Sequence, residues 1–351
     1  MTKSTLILVA LCSFSRLVLS QGCCSGGSAS PIAGGTSQGV LNEKQLEVAT
    51  NFQYLSSNRF FAKDKDTVPL FNRLASNYLY FRAAYGVTPK LTISIESGYF
   101  INKKMIELDN KTTIETSGIA DLIIFPRYQA YYNCTEKKKT EFTVGLGYKM
   151  PIGSHDDSTV FYKDPSTGKE YYQTAPPTVQ LTNGANDFIF YSFFFNSFLK
   201  KNFRVFANSV YVHKGWNSLG QKFGDYGSIS VFFGKTFFKR WGVTAQIKGE
   251  WVGKMKTDKL VDMVAFYNVY PASTGNRKVF FAPQISYSYK ALTIYALSEI
   301  PIYQYLNGSQ VGSQFQFTTG ISYKFNLKKI PEGECLSLNN SKNLKLWSLK
   351  K

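Results

Sequence analysis

Apolar and polar residues alternate with a period of two along most of this chain. Near the carboxyl end, every second residue from Phe315 to Leu327 is apolar or threonine, and the residues between them are polar or glycine. Successive side chains of a β-strand point to opposite faces, so this pattern predicts a strand with one apolar and one polar face. The pattern recurs often enough to predict an all-β chain of about twelve strands, near 45–55, 76–87, 91–102, 119–132, 140–151, 186–199, 203–213, 225–238, 243–254, 278–289, 292–305 and 313–327.

The connections between these strands alternate between short and long. Outer-membrane β-barrels have short periplasmic turns, longer extracellular loops and an even number of strands. The sequence therefore predicts a transmembrane antiparallel up-and-down β-barrel over residues 45–327, and a secreted β-sandwich is the alternative that alternation alone leaves open. The short turns lie at 88–90, 133–139, 200–202, 239–242 and 290–291, and the longer loops at 56–75, 103–118, 152–185, 214–224, 255–277 and 306–312.

Composition excludes several other classes of protein. Hydrophobic residues make up 44% of the chain and aromatic residues 16%, which is too apolar for a disordered chain. Five cysteines in 351 residues are too few for a disulfide-rich scaffold. The most apolar later stretch, Ile189 to Leu199, is too short for a membrane-spanning helix, which needs about 20 apolar residues.

Residues 1–20 are typical of a secretory signal peptide. Lys3 provides the positive start, an apolar run extends from Leu6 to Phe14, and small residues precede a cleavage site after Ser20. We then expect a Cys- and Gly-rich periplasmic segment or plug over residues 21–44. The chain would end in a basic periplasmic tail over residues 328–351.

Four cysteines remain after removal of the signal peptide, and the barrel topology places all of them on the periplasmic side. An oxidising compartment favours disulfides, although two adjacent thiols could also bind a soft metal. We expect either of the two later cysteines to tether the amino-terminal segment. The disulfide candidates are Cys23, Cys24, Cys134 and Cys335.

The polar face of the strands would line the barrel interior. Twelve strands lie between the eight that side chains can fill and the sixteen that leave an open channel, so we expect a constricted pore. The turn at residues 88–90 places Arg82 opposite Glu96, which predicts an ion pair. A structural role, filling the interior with ion pairs, is as consistent with the pattern as cargo selection. The charged lumen-lining candidates are Arg82, Glu96, Asp121, Arg127, Lys149, Asp187, Arg204, Lys248 and Glu250.

Several phenylalanines break the alternation on the sixth to eighth strands. On the predicted faces they point into the lumen, where a hydrophobic substrate, a plug or other phenylalanines would have to cover them. A slipped register at a β-bulge is the alternative explanation. The lumen-lining candidates of this kind are Phe190, Phe194, Phe206 and Phe232.

No catalytic or cofactor-binding pattern emerges from the sequence. The chain has two histidines, His155 and His213, and nothing in their spacing requires them to converge. We therefore expect a protein that is not an enzyme and has no metal or cofactor. The formal charge of +18 is scattered over turns and tail without a basic stripe, so we expect no nucleic-acid partner.

One pair of strands carries a family resemblance. Residues 117–128 read SGIADLIIFPRY and residues 145–153 read GLGYKMPIG. These segments resemble the outer-membrane transporter family of the meta-pathway of phenol degradation, which pairs a Gly-x-x-Asp strand ending in proline and a basic residue with a strand ending in Leu-Pro-x-Gly. In this chain Ala120 stands where Gly is frequent and Met150 where Leu is expected. The resemblance implies a hydrophobe-channel-like barrel in a Gram-negative outer membrane.

The sequence thus predicts a monomeric channel in the bacterial outer membrane that contacts the lipid bilayer and passes small hydrophobic or aromatic molecules by passive diffusion. A barrel that does not transport, but acts as an adhesin or structural protein through its loops, is the alternative. An outer-membrane hydrolase is the third possibility.

Overall fold

Twelve long antiparallel strands form one closed sheet in the computed structural model, which describes residues 39–109, 112–267 and 269–327. Each strand pairs with the next along the chain, and the first strand pairs with the last. The predicted up-and-down barrel with twelve strands is therefore confirmed. The signal peptide, residues 21–38 and the tail at 328–351 lie outside the described residues.

The barrel strands are numbered here in chain order. They are β1 (Gln45–Ser57), β2 (Arg73–Thr88), β3 (Leu91–Ile106), β4 (Leu122–Cys134), β5 (Lys138–Met150), β6 (Asp187–Phe198), β7 (Phe203–His213), β8 (Tyr226–Phe237), β9 (Trp241–Val252), β10 (Asn276–Tyr289), β11 (Leu292–Val311) and β12 (Phe315–Asn326).

The long connections contain short elements of their own. A strand at Thr113–Ile119 pairs with β3 and leads into β4. No helix in the described ranges is long and apolar enough to cross a membrane. The other short strands are Phe60–Lys63, Lys65–Asp66, Ser158–Lys163, Glu170–Thr174, Gln221–Lys222 and Lys256–Thr257, the α-helix is Met263–Tyr267, and 3-10 turns lie at Leu199–Lys201 and Pro271–Ser273.

The two faces of the sheet differ as the alternation predicts. On the outer face Ile95 and Ile247 are 54% and 49% exposed, whereas their inward-facing neighbours Glu96 and Lys248 are buried. The polar residues are thus enclosed by the barrel and the apolar residues cover its outside. This arrangement is the inverse of a water-soluble β-protein and is typical of barrels whose outer surface meets lipid.

Strand β6 corrects one prediction. Phe190 and Phe194 lie on the outer face, half exposed, and not in the lumen. The pairing of β6 with both neighbours runs without a register shift, so no bulge reverses its faces. The sequence misled because β6 is apolar on both faces and carries polar Ser192 outside, where its hydroxyl hydrogen-bonds Ser209 at 2.8 Å.

Candidate functional site

The barrel interior contains hydrogen-bonded clusters of charged side chains, and the first joins β1 to β3. Arg82 stands opposite Glu96 in the register, as predicted. Its guanidinium nevertheless pairs with Glu47, on the other neighbouring strand, while Glu96 accepts hydrogen bonds from Tyr80 and, at 2.8 Å, from Ser94. The prediction of an ion pair between Arg82 and Glu96 is therefore wrong, because Arg82 pairs with Glu47 instead. All of these polar groups are buried, so their mutual bonds replace lost hydration.

A second cluster lies at the long-loop end. The Asp187 carboxylate, completely buried, is 2.9 Å from Lys149 Nζ and 3.0 Å from Lys214 Nζ, and Lys149 also pairs with Asp121. Asp187 accepts a further hydrogen bond from the Gly215 backbone N–H at 3.1 Å. Removing one member of such a buried cluster would leave an uncompensated charge.

A third cluster crosses β9, β10 and β11. Lys248 Nζ lies 2.7 Å from Glu299 Oε1 and 3.6 Å from Glu250 Oε2. The same ammonium stands 4.5 Å from the centre of the Phe280 ring. Glu299 was not singled out from the sequence, because its strand is apolar on both sides of it and offers no clear polar face.

The longest loop, between β5 and β6, folds back into the barrel. Residues 175–182 of this loop, here called the roof segment, are buried. Its backbone carbonyls accept hydrogen bonds from the barrel wall, Val179 from the Thr116 hydroxyl and Gln180 from Lys103 Nζ at 2.7 Å. Gly118, with φ at +148°, has no side chain where Leu181 approaches, since a Cβ there would lie 2.8 Å from Leu181 Cδ1.

The loop between β7 and β8 contacts the β5–β6 loop on either side of the roof segment. His155 Nε2 lies 2.9 Å from Ser218 Oγ, and Asn217 Nδ2 donates to the Asn183 carbonyl at 3.0 Å. Asp225 anchors the loop between β7 and β8 by accepting a hydrogen bond from the Lys214 N–H at 2.8 Å. Partial burial raises the pKa of Asp225, but this hydrogen bond and the one from Tyr211 outweigh burial and hold it below its usual value.

A cavity of about 190 Å³ lies beneath the roof segment, inside the long-loop half of the barrel. More of its wall is apolar than polar, and ten Ser, Thr, Asn, Gln, Asp and Lys side chains, three of them lysines, also line it. Cavities that are mainly apolar with a few placed polar groups are typical of small-molecule sites. The wall includes Leu55, Tyr78, Phe100, Ala120, Ile123, Leu181, Phe223 and Val252, with Lys103, Asp121, Lys149, Thr178 and Lys214 as polar members.

The opposite, short-turn end of the interior is entered by the chain itself. The backbone N–H of Val40 donates to Glu141 Oε1 at 3.2 Å, and that of Leu41 donates to Thr92 Oγ1 at 2.7 Å. Glu141 and Thr92 are both buried on the inner face. The described end of the expected 21–44 segment therefore lies across this mouth, and the remainder of that segment is outside the described residues.

Phenylalanines cover the inner wall where β6, β7 and β8 meet. The rings of Phe206 and Phe232 stack at 4.3 Å with 9° between their planes, and the Phe195 ring lies 6.3 Å from that of Phe206. Phe193 lies 6.1 Å from Phe206. Phe193, Phe195, Phe206 and Phe232 are here called the phenylalanine wall. Two of its members, Phe193 and Phe195, escaped the sequence interpretation, which had assigned the other face of β6 to the lumen.

The remaining candidates fall into place as follows. Arg127 and Arg204 point inward, and among the described residues neither has a carboxylate within ion-pair distance. Asp121 pairs with Lys149 and not with Arg127, as expected from their separation along the strand. Arg127 lies 5.6 Å above the Phe125 ring. Cys134 is disulfide-bonded, and the other cysteine candidates lie outside the described residues.

The barrel is similar to solved bacterial outer-membrane proteins. It matches the COG4313 outer membrane channel from Pseudomonas putida F1 with a TM-score of 0.60 and 11% sequence identity, over 84% of this chain and 100% of that one. The likeness is one of fold. Lower similarity relates it to a KdgM porin (TM-score 0.38, 8% identity, 80% of this chain and 99% of that one) and to a Pseudomonas aeruginosa FadL homologue (TM-score 0.40, 7% identity, 81% and 91%).

No protein-family model matches the chain, and neither does any curated protein. The resemblance to the phenol meta-pathway family therefore stays a prediction from two strands.

Proposed function

We propose that this protein is a monomeric channel of a bacterial outer membrane that passes small hydrophobic or aromatic molecules by passive diffusion. The cavity beneath the roof segment carries the proposal, because it is mainly apolar and lies inside a barrel whose outer face is also apolar. The short turns would face the periplasm and the long loops the cell exterior.

Selectivity in such a channel would come from the width and lining of the interior. The charged clusters fill the bore around the cavity with ion-paired side chains, which disfavours passage of large polar solutes. The proposal requires no chemistry on the cargo and therefore no enzyme activity.

Filling the cavity tests the proposal. Ala120, buried in the cavity wall, is replaced by Phe, and the matched control replaces Ala83, exposed on the outer face of β2, by Phe. We expect Ala120→Phe to lower uptake of radiolabelled toluene severalfold in cells whose outer membrane contains the protein, and Ala83→Phe to leave it unchanged. If cells with the wild-type protein take up no more toluene than cells without it, the channel function is refuted.

A further inference from the structure

Part of the excess positive charge of the chain lies in one sector of the short-turn end of the barrel. Three stretches of the sheet, 188–213, 228–249 and 276–298, contain no aspartate or glutamate. They include the turns from β6 to β7, from β8 to β9 and from β10 to β11, so this sector of the rim carries cations without acidic neighbours in its own strands. Its exposed cations from β8 onward are Lys235, Lys239, Arg240 and Lys290.

One of these cations, Lys235, is exposed on the lipid-facing side of β8. On that face it lies between Phe233 and Phe237, and it stands opposite Val243 on β9. Its ammonium is 5.4 Å from the centre of the Phe237 ring, which is the nearer of the two phenylalanines to the turn. A lysine at the edge of an apolar band extends its ammonium to the membrane surface, where an anionic head group stabilises it.

Two further cations flank one ring at the neighbouring turns. Arg240 Cζ is 5.0 Å and Lys290 Nζ 5.4 Å from the centre of the Tyr289 ring. Arg240 Nη1 also lies 3.4 Å from the Tyr287 hydroxyl. Among the described residues neither cation has a carboxylate within ion-pair distance, and both are exposed. Lys235, Arg240 and Lys290 are here called the basic corner.

Aromatic rings cover the outer face beside the basic corner. Trp241 on β9 stands opposite Tyr287 on β10, with ring centres 4.9 Å apart, and opposite Phe237 on β8. Phe237 and Trp241 are 40% and 46% exposed. Tryptophan and tyrosine on the outside of a barrel mark the boundary between acyl chains and head groups. Arg240 and Lys290, in the turns beyond these rings, therefore lie at the level of the lipid phosphates.

We propose that the basic corner binds anionic phospholipids of the leaflet at the short-turn end through their head-group phosphates. The cations contact the phosphates, and the aromatic rings beside them contact the adjoining parts of the acyl chains. The three cations do not have to converge on one atom, because a leaflet presents many head groups side by side. Such binding is independent of what the channel transports, and it gives a role to part of the formal charge of +18.

Quenching of Trp241 fluorescence by brominated lipids tests the proposal. The full chain is folded into vesicles of phosphatidylcholine and phosphatidylglycerol, with bromine on the acyl chains of one lipid or the other at equal mole fraction. We expect the relative binding constant at Trp241 to favour phosphatidylglycerol about fivefold or more, which corresponds to about 1 kcal/mol, and high salt to reduce this preference. To make Trp241 the sole reporter, phenylalanine replaces Trp216, Trp251 and Trp347.

Matched variants keep the test specific. Replacing the three cations of the basic corner by glutamine should remove most of the preference for phosphatidylglycerol. The control replaces three other exposed cations at the same end, so it changes the net charge equally, and it should keep the preference. The two variants are Lys235→Gln with Arg240→Gln and Lys290→Gln, and Lys90→Gln with Lys137→Gln and Lys138→Gln. Heat-dependent gel migration shows that each has folded, and Lys290→Gln alone, in an exposed turn, replaces a corner variant that has not.

Three outcomes would overturn the inference. Equal quenching by the two brominated lipids with the basic corner intact would mean that the corner does not select anionic lipid. Equal loss of preference in the corner variant and in its control would assign the preference to the diffuse charge of the whole rim. Weak quenching by both lipids would mean that a second copy of the chain, and not lipid, covers this face.

Discussion

At the scale of single residues, side chains alternate between the two faces of a strand, so counting odd and even positions decides whether a side chain meets the outside or the interior. The sequence predicted this parity wherever polar and apolar residues alternate cleanly, as around Ile95 and Ile247. It failed on β6, where Phe190 and Phe194 look like lumen residues only if Asn196 is taken as a guide to the polar face. Hydrophobicity carries no information about direction when both faces of a strand are apolar.

Ile95→Arg tests the assigned outer face. If Ile95 meets the middle of a bilayer, arginine there should lower the free energy of unfolding by about 2 to 4 kcal/mol. Denaturant titration of folding into phospholipid vesicles measures this cost. Val68→Arg is the matched control, because Val68 is 73% exposed in the loop between β1 and β2 and should tolerate the charge. Equal effects of the two substitutions would contradict the assignment.

The interaction partner of a side chain was harder to predict than the face of the sheet on which it lies. The connection between β2 and β3 is short, and with a register shift between Gly86 and Thr88 it places Arg82 opposite Glu96, as the sequence predicts. The actual partner, Glu47, lies on β1, which is joined to β2 by a long loop. Loop length leaves that register undefined, and only the whole sheet determines it.

At the scale of elements, the alternation located all twelve barrel strands, with ends within a few residues except for β11, which extends to Val311. The roof segment could not be predicted, because a loop that folds inward has no periodicity to reveal it. Its apolar residues Ala175, Val179 and Leu181 are the only signal, and sequence alone gives them no partner. Their burial depends on barrel walls that are distant in the chain.

Gln180→Ala should release the roof segment. The Gln180 amide donates to the carbonyls of Asp157 and Ala175, both at 2.9 Å, and accepts from the Asp157 N–H at 3.1 Å. Loss of buried hydrogen bonds costs about 1 to 3 kcal/mol, so amide hydrogen exchange over residues 175–182 should accelerate. Gln173→Ala, in the exposed hairpin of the same loop, provides the control. Unchanged exchange in both variants would mean that other contacts hold the roof.

At the scale of the whole molecule, the apolar outer face and the polar interior together indicate that the outside of the barrel is not suited to water. Large exposed apolar surfaces of this kind are unfavourable in water, whatever the net charge of the chain. The formal charge of +18 does not offset this, because charged side chains such as Lys149 and Lys248 are enclosed within the barrel and do not cover its outer face. The sequence predicted this inversion from alternation and connection lengths together.

The folded protein should therefore require detergent or lipid. We expect the purified chain to sediment as aggregates after removal of detergent and to remain dispersed when phospholipid vesicles are supplied. Analytical ultracentrifugation before and after detergent removal measures this. A compact, folded species in plain buffer would exclude a membrane barrel and would revive the secreted sandwich.

The pairing of β1 with β12 also has a consequence for biogenesis. Hydrogen bonds that seal the cylinder join residues near 50 to residues near 320, so the unpaired rims of the sheet stay open until almost the entire polypeptide has been synthesised. Premature termination before Phe315 would leave two unpaired edge strands, which favour aggregation over formation of a smaller closed barrel.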